Sequence, residues 1–184
     1  MAATYTLSFS ALTTYAASKN MLAINNATGS GKVLKIYRVW IGTYQTATVS
    51  GGIGLVLFKR YVGGNYTGGT AIPFIPHSSC LTANSNTPFT GIGAASGATT
   101  ITAPGVAAEE IGRIARSTDE MGAGGITMDE IQSIPVMSLS WDAGFSDTNI
   151  QPITLRPNEC FILATEAVGT YVGSPDITVE LTIE

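Results

Sequence analysis

The amino-acid sequence predicts an all-β protein organised as a sandwich or a barrel, and three features of the sequence lead to this prediction. Apolar and polar residues alternate over short stretches, as they do in strands that bury one face. Clusters of Gly, Asn, Ser and Pro separate these stretches and mark turns. No helical period alternates with the strand-like stretches, so a doubly wound α/β sheet is not expected.

Three strands are predicted in the first third of the chain. Residues 5–9 alternate in polarity, with Tyr, Leu and Phe on one face. Residues 33–41 carry bulky side chains on both faces, which predicts a strand covered on both sides or central in a sandwich. Residues 52–62 are interpreted as the partner of that strand. The glycine-rich segment 24–33 is interpreted as the bend of a hairpin that leads into the strand at residues 33–41.

The last third of the chain predicts the closing strands. Residues 134–142 and 159–167 are short apolar runs of strand length. The clearest strand is the last, where a strict alternation places four apolar side chains on one face: Ile177, Val179, Leu181 and Ile183. Together these stretches predict about six to eight strands.

The middle of the chain differs from the two ends. Residues 68–134 are rich in Gly, Ala, Thr, Ser and Pro, and so long a segment in a compact domain is usually functional or packed by a neighbour. Residues 105–122 permit one short helix, with Glu109 and Arg113 as an i,i+4 pair. We expect a single domain over residues 1–184, with 68–134 as a long insertion between strands. We also expect residues 91–103 to be dispensable for folding, but a variant that lacks them to assemble or attach poorly.

Composition argues against several classes of function. The 184 residues include nine Lys and Arg, carry a net charge of -4 and contain no basic cluster, so nucleic-acid binding is not expected. No run of about 20 apolar residues predicts a membrane span. The first 20 residues lack a basic region followed by an apolar core, so we expect a mature start. Charged residues make up only 12%, which favours extensive protein contacts, since buried interfaces disfavour charge.

The glycine-rich bend invites comparison with a phosphate-binding loop. A Walker A motif requires Gly, four residues and then Gly-Lys-Ser/Thr. Here Val33 follows Gly31-Lys32, and Asn26 stands at the position of the first glycine. The run after Lys32 has the period of a strand, so no helix N-terminus would face a phosphate. We therefore interpret the segment as a bend and not as a nucleotide site.

Cysteine and histidine offer few catalytic arrangements. Cys80 and Cys160 are predicted to be unpaired thiols in or near the core, although a disulfide between them stays open. Two cysteines and one histidine make a structural zinc site improbable. A hydrolase that uses His77 and Cys80 would need the two side chains within about 3 Å of each other in a pocket. We expect His77 to be a loop residue instead.

Carboxylates can support glycoside hydrolysis or calcium binding, but the spacing of the Asp and Glu residues favours neither. Glu109-Glu110, Asp119-Glu120 and Asp129-Glu130 are adjacent pairs, and adjacent residues of an extended chain point apart. Residues 142–149 carry oxygen ligands at irregular spacing and lack an EF-hand pattern. We predict no catalytic residue, no cofactor and no metal site, and hence a protein that is not an enzyme.

Aromatic residues leave a carbohydrate-binding sandwich open as the alternative. A sugar-stacking platform could be formed by Tyr37, Trp40, Tyr44, Tyr61, Tyr66 and Trp141. Trp40 and Trp141 stand within apolar strands, so packing in the core is the simpler interpretation.

Two segments resemble a known group of proteins. Residues 25–52, "NNATGSGKVLKIYRVWIGTYQTATVSGG", resemble the opening region of small jelly-roll proteins on tailed-phage virions, namely decoration (cement) proteins and head-surface subunits. Residues 153–163, "ITLRPNECFIL", followed by "SPDITVELTIE", are similar to their closing pair of strands. The resemblance covers about the first 60 and the last 50 residues and does not extend to the middle.

The resemblance implies both a fold and a role. The fold would be a jelly-roll-like β-sandwich with a long Gly/Ala-rich excursion and at most one short helix. The protein would be made in the host cytoplasm and would decorate or cement a phage capsid at the virion surface. Its partners would be other copies of itself, often as a homotrimer, and the major capsid protein, with glycan binding possible. No catalytic residue is implied.

Overall fold

The computed structural model describes residues 3–10, 19–44, 52–78, 91–97, 101–118, 138–143, 150–166 and 174–184. Within these residues the chain forms β-strands and no helix. The strands are β1 Ala3–Ser10, β2 Asn20–Asn26, β3 Leu34–Tyr44, β4 Gly52–Val62, β5 Thr70–Ala71, β6 Ile75–Pro76, β7 Ile92–Ser96, β8 Ala108–Thr118, β9 Ser138–Asp142, β10 Ile153–Leu155, β11 Glu159–Thr165 and β12 Ser174–Ile183.

The strands form two antiparallel sheets that pack as a sandwich. Sheet A has the order β6-β1-β12-β3-β10, and β9 pairs with the same side of β3 as β10 does. Sheet B has the order β5-β7-β2-β11-β4-β8. The predicted all-β sandwich is therefore confirmed.

The connectivity is that of a jelly roll. Strands from the two halves of the chain pair as if along one long antiparallel ribbon: β1 with β12, β2 with β11, β3 with β10 and β9, and β4 with β8. Successive pairs lie alternately in sheet A and sheet B. Rolling the ribbon in this way gives two four-stranded layers, to which β5, β6 and β7 add at the edges.

The core lies between the inward faces of the two sheets. The predicted alternation in the last strand is confirmed, since Ile177, Val179, Leu181 and Ile183 are all buried. Sheet B contributes large side chains, among them Phe58 and Phe161 with ring centroids 6.1 Å apart. Fully buried apolar side chains of this size each stabilise the fold by about 1.5–3 kcal/mol relative to exposure.

A β-bulge explains why residues 33–41 carry bulky side chains on both faces. Leu34 and Ile36 point into the core, but so do Val39 and Ile41, which are out of phase with them. The register against β12 shifts at this point, where Ile36 pairs with Leu181 and Arg38 with Glu180, so that Tyr37 is the extra residue. An extra residue in one strand reverses which side chains face the core. The strand is an inner strand of sheet A, between β12 and the edge formed by β9 and β10.

Two sequence-based pairings were wrong. The glycine-rich bend after β2 joins two strands, but β2 lies in sheet B and β3 in sheet A, so it is an arch between sheets and not a hairpin. Strand β4 is not the partner of β3, because β4 pairs with β11 and β8 in the opposite sheet. Local sequence does not specify which sheet a strand joins, because the pairs are formed between residues distant along the chain.

The helix permitted over residues 105–122 is also wrong, because this stretch forms β8, an edge strand of sheet B. Its register against β4 shifts beside Ile111, which is the extra residue of a second bulge. The bulge lets Ile111 and Ile114, three residues apart, both pack against the core. That spacing imitates a helical stripe. The predicted Glu109–Arg113 pair does not form, since Glu109 binds Arg60 and Glu110 binds Arg113.

The described parts of the chain between β4 and β8, residues 63–78, 91–97 and 101–107, pack on the sandwich. Residues near the Thr67–Thr102 bridge cover the outward side of sheet B. There they help to bury a second apolar cluster made of Ala23, Tyr61, Ile101, Cys160, Ile162 and Ala164. Ile72 and Phe74, between β5 and β6, are buried in the main core as the chain crosses from sheet B to sheet A.

Candidate interaction face

The outward side of sheet A is an open surface formed by the side chains that point away from the core. We call it the outer face; it spans β6, β1, β12, β3 and the β9–β10 edge. Three rows run across the strands. They are Thr4-Thr182-Lys35-Thr154, then Ile75-Thr6-Glu180-Arg38-Asp142, then Ser8-Thr178-Trp40-Leu139.

Charged residues on the outer face are held in ion pairs. Arg38 lies near its centre and donates from Nη1 to Glu180 Oε2 at 2.8 Å and from Nε to Asp142 Oδ1 at 3.4 Å. Lys35 Nζ lies 2.7 Å from Glu184 Oε2, and this hydrogen bond raises the pKa of Lys35. Exposed pairs of this kind add little to stability, because water and salt screen them. They balance part of the charge on the face, and Arg38 is shared by two carboxylates.

Hydroxyl groups and apolar side chains occupy the rest of the outer face. Ser8 Oγ lies 3.0 Å from Thr178 Oγ1, and Thr6 Oγ1 lies 2.6 Å from His77 Nε2. Leu139 is 47% exposed at one edge of the face and Ile75 is 41% exposed at the other. A flat surface that combines paired charge, hydroxyls and exposed apolar groups can be covered by another protein at low desolvation cost.

The two tryptophans lie on opposite sides of sheet A. Trp141 packs against the core with its ring centroid 6.1 Å from that of Phe58, as the interpretation of core packing expected. Trp40 is half-buried on the outer face, beside Thr178 in the register, so core packing does not describe it. Of the other candidate aromatics, Tyr61 is buried and Tyr66 packs on the second cluster. The side chain of Tyr44 lies outside the described residues.

The sheet edges are poorly suited to pairing with another strand. At one side of the sandwich, β5 and β6 are two residues long. At the other side β8 carries a bulge and the charged residues Glu109, Glu110 and Arg113, and the edge beside β3 is divided between the short strands β9 and β10. Short, bulged and charged edges disfavour edge-to-edge association. The faces and the loops are therefore better candidates for contacts than the edges.

A shallow, open pocket of about 340 Å³ lies on the outward side of sheet B. Lys59, Glu110 and Glu166 line it together with Asn20 and Thr165. Its neutral polar groups already have partners: Asn20 Nδ2 donates to Ile101 O at 3.0 Å, and Thr165 Oγ1 accepts from Lys19 N at 2.9 Å. A salt bridge of 2.7 Å holds Glu110 to Arg113. Such a pocket presents few unused groups to a ligand.

The other candidates for chemistry are placed as follows. Cys160 is a free thiol that is fully buried in the second cluster, and burial raises its pKa to about 12, which suppresses the reactive thiolate. Cys80, the acidic pairs 119–120 and 129–130, and residues 144–149 lie outside the described residues. Among the described residues, no group of three or more His, Cys, Asp and Glu side chains could hold a metal ion. Strand β3, not a helix, follows Lys32.

Comparisons of the chain with protein-family models, with curated proteins and with solved structures found no match. In the part of the chain that the structure describes, no helix is long and apolar enough to cross a membrane.

Sequence reasoning did not identify the outer face. The alternation of Thr178, Glu180 and Thr182 in the last strand was the available signal, because it marks a polar side of β12. Residues 33–41 were expected to be covered on both sides or central, and the bulge at Tyr37, after which Arg38 and Trp40 point outward, could not be seen in the pattern. Placing the residues side by side also required the register, which joins positions as distant as Thr6 and Glu180.

Proposed function

We propose that the protein is a structural subunit that works as a homo-oligomer and decorates or cements the capsid of a tailed phage. The observation that carries this proposal is the outer face of sheet A, an open sheet surface that has ion pairs and carries Arg38 and Trp40 near its centre. Arg and Trp are, with Tyr, the residue types most enriched among those that dominate the energy of protein interfaces. An open sheet face suits a protein partner, whereas small ligands bind in concave sites.

Two further features support a role in assembly. The blunted sheet edges favour defined contacts through faces over open-ended strand pairing. Jelly-roll sandwiches are also a common architecture of capsid proteins, although they occur in lectins as well. The phage capsid itself comes from the resemblance of residues 25–52 and 153–163, as does the expectation of a homotrimer, so these parts need a direct test.

The test is attachment to particles. Purified protein is mixed with tailed-phage capsids that lack their decoration proteins, and the particles are sedimented and then challenged with heat or low salt. We expect co-sedimentation and slower loss of particle integrity. Trp40→Ala should reduce attachment, because the outer face supplies contacts that the assembled subunit needs, and Arg60→Glu on sheet B serves as the control. Failure of the wild-type protein to bind any of the tailed-phage capsids tested would reject the proposal.

A carbohydrate-binding role is the second candidate, and the position of Trp40 favours it. An aromatic ring on the outer face with Thr178 and Ser8 nearby could stack on a sugar while the hydroxyl groups accept and donate hydrogen bonds. A glycan array probed with the isolated protein separates the two proposals. Binding that is lost in Trp40→Ala, without attachment to capsids, would favour the sugar-binding role.

A further inference from the structure

We propose that the outer face of sheet A is covered by a second copy of this chain, and that the two copies pack face to face about a twofold axis parallel to the strands, between β12 and β3. The inference names the partner for one surface and rests on the proposed function only in assuming that the chain self-associates. Symmetric pairs of this kind are the commonest oligomers.

The register defines what such an axis brings together. Rotation about a line between β12 and β3 places the β3 column of one copy over the β12 column of the other, and the β9–β10 column over β1. Arg38 then faces Glu180 of the partner subunit, and Trp40 faces Thr178 of the partner subunit. At the edge, Leu139 faces Ser8 of the partner subunit. Both sheets keep the same strand direction, as in aligned sheet packing.

Charge complementarity selects this axis over its alternatives. An axis along β12 would place Glu180 over its own copy, and an axis along β3 would do the same to Arg38. An axis perpendicular to the strands, along the middle row, would place both residues over like charges. The axis between the two strands gives two additional opposite-charge contacts, which join the existing 2.8 Å Arg38–Glu180 pair in a cluster that also includes Asp142 of each copy. An axis between β3 and β9 would place Arg38 over Asp142 of the partner subunit, but only the β3 and β9–β10 columns would then overlap. Like charges in contact across an interface cost several kcal/mol, whereas complementary ones fix its register.

The overlap of the two faces is at the lower limit for a specific pair. Four columns of each copy overlap about this axis, because the β6 column would face no strand of the partner. With about 4.8 Å between columns and about eight residues of strand length, they bury about 500 Å² per copy and about 1,000 Å² in total. The half-buried Arg38 and Glu180 side chains, 21% and 22% exposed, would lie at its centre, where side chains contribute most.

The first test uses charge reversal and measures mass by sedimentation equilibrium over a concentration series. Arg38→Glu or Glu180→Arg places like charges across the axis and should weaken the pair by about tenfold or more. The double exchange restores opposite charges between positions 38 and 180, within and between copies, and should recover most of the affinity; it leaves a like charge beside Asp142. Arg60→Glu breaks the comparable Arg60–Glu109 pair on sheet B and should leave the affinity unchanged. Unfolding curves on each variant establish that the monomer is folded.

The second test reports the axis directly. Ser8 and Leu139 are three strand spacings apart, about 14 Å, within one copy, but lie about 10 Å apart across the proposed interface. In a Cys80→Ser background, the double variant Ser8→Cys/Leu139→Cys should give covalent dimers with a short bismaleimide. Neither single variant should do so, because each residue lies far from its own copy.

The outcomes distinguish pairing of two copies through the outer face from attachment to a capsid. A dimer that cross-links as described supports the inference even if no capsid is bound. A hexamer supports it too, because it combines the twofold with the threefold that the resemblance implies. A monomer at all concentrations, a trimer alone, or Arg38→Glu with unchanged affinity would overturn it, and capsid attachment could still be found in each of these cases.

Discussion

At the scale of single residues, Asn26 shows how one polar group can stabilise the junction between the two sheets. It is the last residue of β2, and it is completely buried. Its Nδ2 donates to Lys32 O at 2.8 Å and to Leu155 O at 3.0 Å, while its Oδ1 accepts from Ser30. One side chain therefore connects the arch between β2 and β3 to the end of β10.

We expect Asn26→Ala to destabilise the protein by about 2–4 kcal/mol, because it leaves buried carbonyl groups without a donor. Ser30→Ala removes one bond of the same network and should cost about 1 kcal/mol. Urea unfolding of both variants measures the difference. A change of less than about 0.5 kcal/mol for Asn26→Ala would show that water or a local shift replaces the lost bonds.

Cys160 gives a second effect at this scale, a loss of stability in alkali. Burial raises the pKa of its thiol to about 12, whereas a thiol in the unfolded chain titrates near 8.5. The unfolded state therefore releases its proton first as the pH rises. The stabilising contribution is complete below about pH 8 and is lost progressively towards pH 12.

Between pH 8 and pH 10 we expect this one group to lower the free energy of unfolding by about 2 kcal/mol. In Cys160→Ala that part of the decrease should be absent, while the contributions of tyrosines, including Tyr66 with its pKa raised to about 12 by burial, persist in both proteins. Urea titrations of the two proteins at each pH give the comparison. Parallel pH profiles would contradict the assignment.

At the scale of elements, β11 is buried on both sides and depends on the segment that was expected to be an insertion. Phe161 and Leu163 face the main core, and Cys160 and Ile162 face the second cluster. Residues 91–103, which were expected to be dispensable for folding, supply β7 and the buried Ile101. Deleting them should therefore expose the outward side of β11 and leave the chain unfolded or aggregated.

Two glycines provide a matched test of how tightly this segment packs. Gly29 and Gly69 both have positive φ, at +86° and +82°, so alanine costs about 1–2 kcal/mol of backbone strain at either position. Only at Gly69 would the new Cβ lie 2.8 Å from Ile101 Cγ1 and 2.9 Å from Ala95 Cβ. In urea unfolding, we expect Gly69→Ala to lower the free energy of unfolding by about 1–3 kcal/mol more than Gly29→Ala does. Equal losses of stability in the two variants would mean that Ile101 and Ala95 move aside at little cost.

The sequence predicted elements better than it predicted their partners. Alternation identified β1 and β12 because both are regular strands with one buried face. It failed at β8, where a bulge at Ile111 gives the spacing of a helix, and it misread β3, where the bulge at Tyr37 reverses the phase. The partners of β4 and the outer face were not accessible, since they depend on contacts between residues far apart in sequence.

At the scale of the whole molecule, the jelly roll depends on contacts between the two ends of the chain. Ala3 pairs with Ile183 and Ser10 with Asp176, so the first strand of sheet A forms along the last. Folding is slow in proteins of this type, because the chain loses the entropy of closing a long loop before the contacts between its ends stabilise the fold. The outer face, which includes residues from both of these strands, exists only after the ends have met.

A circular permutant tests this dependence. Residues 3 and 183 lie opposite each other in an antiparallel pair, so a short glycine-containing linker from Glu184 to Met1 would turn β12 and β1 into a hairpin, with new ends between Gly124 and Gly125. The most distant strand pair then becomes local, and we expect refolding from urea to be several times faster than in the parent chain, with little change in the unfolding rate. Fluorescence of Trp141, in a Trp40→Phe background, reports its packing against Phe58 and hence closure of the sandwich. A permutant that folds to the same stability at an unchanged rate would show that the meeting of the chain ends does not limit folding, and would place the slow step in another strand pair of the ribbon.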